Sequence, residues 1–78
     1  MNKCYIEQWK VGDIIIYENI EEYIIWEIVT INTLNIELKL LKHAPYKYYE
    51  INHIYNFKTD NIHPRFSRIT NLQKIKYL

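Results

Sequence analysis

The stretch NIEEYIIWEIVTI, residues 19–31, decides the fold class, because it fits either an amphipathic helix or one arm of a β-hairpin. Its isoleucines at positions 20, 24, 28 and 31 would lie on one helical face, and Asn19 followed by Glu22 resembles a helix capping box. However, residues 23–31 contain no Ala, Leu, Lys, Arg or Gln. They are mostly β-branched and aromatic residues, which fit a pleated sheet better than a helix. We therefore predict two antiparallel strands, residues 14–20 and 23–31, joined by a turn near Glu21 and Glu22.

The segment that follows has the clearest periodicity in the chain. From Leu34 to Leu40, apolar and polar residues alternate, which is typical of a strand with one buried face. Asn32-Thr33 before it suits a tight turn. The three strands should form a meander. The apolar face of the third strand is expected to pack against Ile14, Ile16, Ile24, Trp26 and Ile28.

The two ends and the second half of the chain carry weaker patterns. Near the N-terminus, Tyr5, Ile6 and Trp9 fit one helical turn that would plug an open barrel end. Pro45 marks a loop, after which we predict a strand over residues 48–57, a turn over residues 58–61 and a short strand within residues 65–70. The last eight residues, NLQKIKYL, fit either a final strand or a helix capped by Asn71. Its apolar points would be Leu72, Ile75 and either Tyr77 or Leu78, with Lys74 and Lys76 exposed.

Together these segments predict a mostly β fold for residues 1–78. We expect a small, partly open antiparallel barrel of about five strands, with a short terminal helix as an option. Its single cysteine, Cys4, cannot form an internal disulfide, which favours a reducing, cytoplasmic setting. No apolar run approaches the roughly 18 residues that a membrane span requires, so we expect no membrane association.

Charge is unevenly distributed along the chain. Residues 1–38 hold two lysines and seven acidic residues, whereas residues 39–78 hold eight Lys or Arg and two acidic residues. One interpretation is that acidic and basic strands lie side by side and neutralise each other across the sheet. The other is a polar interaction surface.

The residue patterns of catalytic and metal sites do not occur in the sequence. Three histidines are spaced about ten residues apart: His43, His53 and His63. Zinc sites usually contain tighter pairs. Cys4 has no neighbouring base to activate it, Glu21 and Glu22 would face opposite sides of a strand, and Gly12, the only glycine, cannot form a Gly-rich phosphate loop. We therefore expect no enzymatic activity, no metal and no cofactor.

Aromatic and basic residues in the second half suggest a binding surface. The candidate partner-binding residues are Tyr46, Lys47, Tyr48, Tyr49, Arg65, Phe66 and Arg68. Tyr and Trp are frequent at protein interfaces, and eight tyrosines exceed what so small a core can bury. We predict a module that occupies a surface of a partner protein; its size and composition would suit a phage or mobile-element inhibitor of a host defence protein. Stacking aromatics beside cations also fit single-stranded nucleic acid, which is the alternative. Strand edges would also permit a homodimer.

The string WKVGDIIIY, followed by IIWEIVTIN and NIELKLLKH, resembles the first strands of small Src-homology-3-like barrels of the Tudor and KOW kind. In those barrels an aromatic residue, two further residues and a Gly-Asp turn open the first strand. The resemblance covers about Trp9 to His43. It implies a binding module for peptides, methylated side chains or nucleic acids, and it transfers no particular ligand-binding residue.

Overall fold

A single open β-sheet is the main element of the structure, a computed structural model that describes residues 8–44 and 49–78. Its elements are β1 (Ile14–Glu18), β2 (Tyr23–Ile31), β3 (Asn35–His43), β4 (Ile54–Lys58), β5 (Ser67–Arg68) and the helix α1 (Asn71–Tyr77). The strands are antiparallel and lie in the order β4-β3-β2-β1-β5. The mostly β class, the strand number and the terminal helix are confirmed. The sheet does not close into a barrel, since β4 and β5 form its two separate edges.

The predicted meander of β1, β2 and β3 is present. β2 lies between the other two strands: its residues 23–27 pair with β1, and its residues 24–31 pair with β3. The alternation seen in the sequence of β3 is confirmed, because Ile36, Leu38 and Leu40 are at most 1% exposed. These three residues share one face of the sheet, and that face carries the core.

Both turns of the meander are built by an asparagine side chain. Oδ1 of Asn19 accepts hydrogen bonds from the backbone N–H groups two and three residues later, both at 2.9 Å. Oδ1 of Asn32 makes the same two contacts at 2.9 and 2.8 Å. Such side-chain bonds let asparagine form a turn without glycine. Because the first turn begins at Asn19, the predicted strand over residues 14–20 is two residues too long, and Ile20 and Leu34 are exposed at the turn tips.

The core lies on one face of the sheet, and β1 contributes to it in the opposite phase to the prediction. The buried cluster comprises Trp9, Ile15, Trp26, Ile28, Ile36, Leu38, Leu40 and Ile62. Ile15 is paired with Trp26 and belongs to this cluster, whereas Ile14 and Ile16 lie on the other face. The prediction that Ile14 and Ile16 pack against the apolar row of β3 is therefore wrong. A run of three isoleucines and a tyrosine contains no alternation from which the phase could be read.

The opposite face is also covered in part. Ile16 and Ile25 pair across β1 and β2 and are almost fully buried there. At the N-terminal end, Trp9 lies in the core at 6% exposure, while Tyr5 and Ile6 fall outside the described residues. The burial of Trp9 is therefore confirmed, whereas the helical turn formed with Tyr5 and Ile6 stays a prediction.

In the second half, β4 begins later than predicted. The strand expected over residues 48–57 starts at Ile54, because a turn precedes it: the N–H of His53 donates to the carbonyl of Glu50 at 3.3 Å. Asn52 in this turn has a φ of 69°, a left-handed conformation that asparagine tolerates better than most residues. The turn predicted over residues 58–61 is confirmed as a 3-10 turn, and the strand within residues 65–70 is confirmed as β5.

The C-terminal segment is a helix whose N-cap is Thr70, so the prediction that Asn71 caps it is wrong. The hydroxyl of Thr70 accepts from the N–H of Gln73 at 3.1 Å, and the side chain of Gln73 accepts from the N–H of Thr70 at 2.9 Å. This reciprocal pair is a capping box. Leu72 and Ile75, predicted as the apolar points of the helix, are exposed to solvent at 79% and 81%.

α1 instead contacts the sheet through polar side chains. Three of them donate hydrogen bonds to Glu18 at the end of β1. Its carboxylate accepts from Gln73 at 2.9 Å, from Lys76 at 3.2 Å and from the hydroxyl of Tyr77. The ring of Tyr77 stacks on Tyr23 with 4.2 Å between centroids. The hydrogen bond from Tyr77, followed by that from Gln73, lowers the pKa of Glu18 to about 2. Among the described residues no helix is long and apolar enough to cross a membrane.

The phase of β1 can be tested by comparing neighbouring residues. Ile15→Ala should lower the free energy of unfolding by about 2–5 kcal/mol, because it leaves a cavity in the core. Ile14→Ala should cost clearly less, since Ile14 is only partly buried and lies on the other face. Urea denaturation of both variants measures the difference. Equal losses would contradict the phase described here.

The contacts of Glu18 predict a pH dependence. Glu18→Gln should lower the free energy of unfolding at pH 7 on the order of 1 kcal/mol, because the side chain is 27% exposed and surface pairs are weak. Folding lowers the pKa of Glu18. The stability that the ionised Glu18 contributes is therefore complete above pH 4.5, the usual pKa of the group, and is lost as the pH falls towards about 2. The difference between wild type and Glu18→Gln should therefore shrink over that interval in urea titrations. A constant difference from pH 7 to low pH would contradict it.

Candidate functional site

An open pocket with a volume of about 240 Å³ lies over the core face of the sheet. Half of its twelve lining residues are Phe, Trp or Tyr: Tyr17, Tyr23, Trp26, Tyr49, Phe57 and Phe66. Small-molecule and cofactor sites usually measure about 300–1,000 Å³. The pocket is smaller than these sites, and its size suits one side chain or a similarly small chemical group.

Trp26 in the central strand organises one side of the pocket. Three rings meet the indole edge-on: Phe57 at 5.5 Å, Tyr55 at 5.6 Å and Tyr49 at 6.2 Å between centroids. Edge-to-face contacts are a favoured geometry, worth about 0.5–1.5 kcal/mol beyond the burial of area. These rings therefore hold one another in place, so that Trp26 and Phe57 form one wall of the pocket and Tyr49 lies at its rim.

The indole N–H of Trp26 is buried and has no hydrogen-bond acceptor among the described residues. Leaving a buried donor unpaired costs about 1–3 kcal/mol. Burial of the large ring and its contacts with three other rings must outweigh that cost.

The opposite side of the pocket is formed by the segment after the 3-10 turn. Tyr17 in β1 contacts the ring of His63 at 5.1 Å and that of Phe66 at 5.6 Å. A tight turn positions Phe66, because its N–H donates to the carbonyl of His63 at 3.1 Å. Glu22 and Asn61 add polar groups to the lining. The pocket thus joins residues from the sheet to a loop that precedes β5.

The structure brings some of the predicted site residues together and separates others. Tyr49, which is 46% exposed, and the half-buried Phe66 both line the pocket. Arg65 is exposed and is not part of the lining. Arg68 contacts Asp13, with Nε 3.2 Å from the carboxylate, and donates to the carbonyl of Gln8. Tyr46, Lys47 and Tyr48 lie outside the described residues.

Among the aromatic lining residues, sequence reasoning missed Tyr17, Tyr23, Trp26 and Phe57 as site residues. Trp26 was assigned to the core, which is correct, because it is 3% exposed. These residues lie on β1, β2 and β4, and only the strand order of the sheet places them around one pocket. The alternation of Tyr55 and Phe57 in β4 is the one local signal that could have placed an aromatic pair on the core face.

Ion pairs link the acidic first half of the chain to the basic second half. Three such pairs occur among the described residues: Glu27–Lys39 at 3.6 Å, Asp13–Arg68 at 3.2 Å and Glu18–Lys76 at 3.2 Å. The interpretation that the two halves neutralise each other within the fold is confirmed for these groups. Each pair lies at the surface, so each contributes little to stability.

The three histidines make local contacts. Nε2 of His43 is 3.0 Å from the carbonyl of Tyr49, His53 lies 3.7 Å from the carboxylate of Glu50, and His63 packs on Tyr17. In the described part of the chain, no three His, Cys, Asp or Glu side chains are grouped closely enough to hold a metal ion.

Comparison with known proteins finds no matching protein family, no matching curated protein and no matching solved structure. The fold and the site define a small protein with an open antiparallel sheet and an aromatic pocket. Its resemblance to Src-homology-3-like barrels stays a prediction.

The wall and the rim of the pocket should respond differently to mutation. Phe57→Ala should lower the free energy of unfolding by about 2–4 kcal/mol, because it removes a ring packed on Trp26. Tyr49→Ala should cost less than about 1 kcal/mol, because nearly half of Tyr49 is exposed. Thermal and urea unfolding would measure both. A larger loss for Tyr49→Ala than for Phe57→Ala would mean that Tyr49 belongs to the core.

Proposed function

We propose that this protein is a non-enzymatic binding module that holds a partner protein by receiving one of its apolar or aromatic side chains in the pocket. The observation that carries the proposal is the open, pre-formed aromatic lining around Trp26. Interface hot spots are typically well-packed pockets of this kind, filled by one anchoring side chain.

The rigidity of the wall supports affinity as well as shape. Binding must offset the entropy lost when mobile side chains become ordered, and a pocket that is already formed reduces that loss. Tyr55 and Phe57 are held against Trp26 by contacts within the protein's own fold. Most of the ordering is therefore complete before the partner arrives.

The rim would supply the remaining contacts. Tyr49 is exposed at the edge of the pocket, and the predicted contact residues Tyr46, Lys47 and Tyr48 immediately precede it in sequence. Arg65, next to Phe66, adds a surface charge that could influence the choice of partner. A role as a phage or mobile-element inhibitor of a host protein stays a prediction based on size and composition.

Nucleic-acid binding is the alternative proposal, and the ion pairs weigh against it. Lys39, Arg68 and Lys76 belong to the basic half, and each has a carboxylate beside it. A cation that is already paired contributes less to phosphate binding. We therefore place protein binding first.

Tyr49→Ala should weaken partner binding without unfolding the protein. Hot-spot truncations cost at least about 2 kcal/mol, which corresponds to roughly a thirtyfold rise in Kd. The partner would be captured from a lysate of the source cells by immobilised protein, identified by mass spectrometry and titrated in purified form. Ile75→Ala is the matched control, because it removes an exposed apolar side chain from α1, outside the pocket. It should leave Kd unchanged.

The same set of proteins separates the two proposals. If Tyr49→Ala and Ile75→Ala weaken capture equally, the pocket is not the binding site. Binding of single-stranded oligonucleotides that falls steeply between low and high salt would favour the nucleic-acid alternative. Absence of oligonucleotide binding at low salt would remove that alternative.

A further inference from the structure

β4 is an edge strand with an unpaired side. It pairs with β3 on one side, and no other strand adjoins it within the described residues. The opposite edge strand, β5, has two residues, whereas β4 has five. An open edge of this length exposes backbone donors and acceptors that can pair with another strand.

Two hydrogen bonds at the ends of β4 show which backbone groups face outward. The N–H of Leu40 donates to the carbonyl of His53 at 3.1 Å, and the N–H of Thr59 donates to the carbonyl of Leu34 at 2.9 Å. In an antiparallel ladder, hydrogen-bonded positions occur at every second residue. His53, Tyr55, Phe57 and Thr59 therefore face β3, and the backbone groups of Ile54, Asn56 and Lys58 face the open edge.

We propose that β4 pairs antiparallel with β4 of a second copy of this chain, about a two-fold axis at Asn56. In this register Asn56 lies opposite Asn56 of the other copy, and Ile54 lies opposite Lys58. All of these positions have outward backbone groups, so every pair can exchange two hydrogen bonds. A two-fold contact uses the same surface on both copies, so that surface has to be self-complementary. The register about Asn56 meets this requirement.

The side chains are compatible with the same register. Tyr55 lies opposite Phe57 of the other copy, so that two aromatic cross-strand pairs form on the core face, a pairing that stabilises sheets. Lys58 lies opposite Ile54, and no two like charges face each other directly. Ile54 is 48% exposed in the single chain and would be covered further by its neighbour.

β4 lacks most of the features that prevent an edge strand from pairing with another chain. β4 contains no proline, and its one charged residue, Lys58, is at its end. No bulge interrupts its pairing with β3. The two open sheets would join into one, with both aromatic pockets on the same face, so that the dimer could bind two sites of a partner.

Disulfide trapping tests the register directly. In a Cys4→Ser background, Asn56→Cys should form a covalent dimer under mild oxidation, because the two Cα atoms would be about 5.5 Å apart, within the range that disulfides require. Lys58→Cys is the matched control on the same face of the same strand. Its two Cα atoms would be about 14 Å apart, because they lie on neighbouring strands and are four residues out of register, so it should not form the dimer.

Unmodified protein provides the second measurement. In analytical ultracentrifugation, the mass should rise with concentration from 9.7 kDa towards twice that value. Asn56→Pro removes an outward N–H without removing a bond to β3, so it should remain folded by circular dichroism and stay at 9.7 kDa. Asn56→Thr keeps the N–H and should dimerise like the wild type.

Equal trapping of Asn56→Cys and Lys58→Cys would overturn the proposed register. A mass that stays at that of one chain at all concentrations would overturn the dimer itself. Dimerisation that Asn56→Pro leaves unchanged would mean that the copies meet at another surface. None of these outcomes bears on capture of a partner by the pocket, so the two proposals can fail separately.

Discussion

The indole of Trp26 stands on the middle strand of the sheet, and it has to be enclosed from several directions. Ile15 pairs with it from β1, and Leu40 pairs with it from β3. The rings of Tyr55 and Phe57 close over it from β4. A side chain of this size is worth several kcal/mol when buried, so its enclosure favours one order and one register of the strands. The pocket lies beside Trp26, where the surrounding side chains no longer cover the core face.

Stability and binding therefore share side chains. Phe57 supports Trp26 and also lines the pocket, so a mutation there affects both properties at once. Tyr49 is at the rim, where a ring can be changed with less effect on the sheet. A binding surface of this design can vary in specificity at its edge, while its wall is constrained by the fold.

The sequence predicted the fold where local patterns were unambiguous. The alternation of Ile36, Leu38 and Leu40 placed β3 correctly, and β-branched residues identified β2. The phase of β1 could not be read, because consecutive isoleucines are apolar on both faces. α1 was harder still: it docks through Gln73 and Tyr77 on a carboxylate, and its leucine and isoleucine face solvent. Apolar spacing alone predicts the opposite orientation of the helix.

Only part of the candidate site was predicted, and the reason differs from that for the fold. Tyr49 and Phe66 were recognised as aromatic residues near charges, which is a local property. The pocket itself depends on strand order and on a loop that crosses the core face, which a single sequence does not display. Arg68, also predicted as a partner-binding residue, contacts Asp13 and does not line the pocket, so its binding role stays a prediction.

The order of the strands has a consequence for how the chain folds. Of the four strand pairings, those of β1 with β2, β2 with β3 and β3 with β4 join neighbours in sequence, whereas β5 must return to β1 from the far end of the chain. Closing a long loop costs more chain entropy than closing a hairpin. We expect the meander to form first and β5 to join it last. Phe66 directly precedes β5, so the pocket would be completed only in that final step.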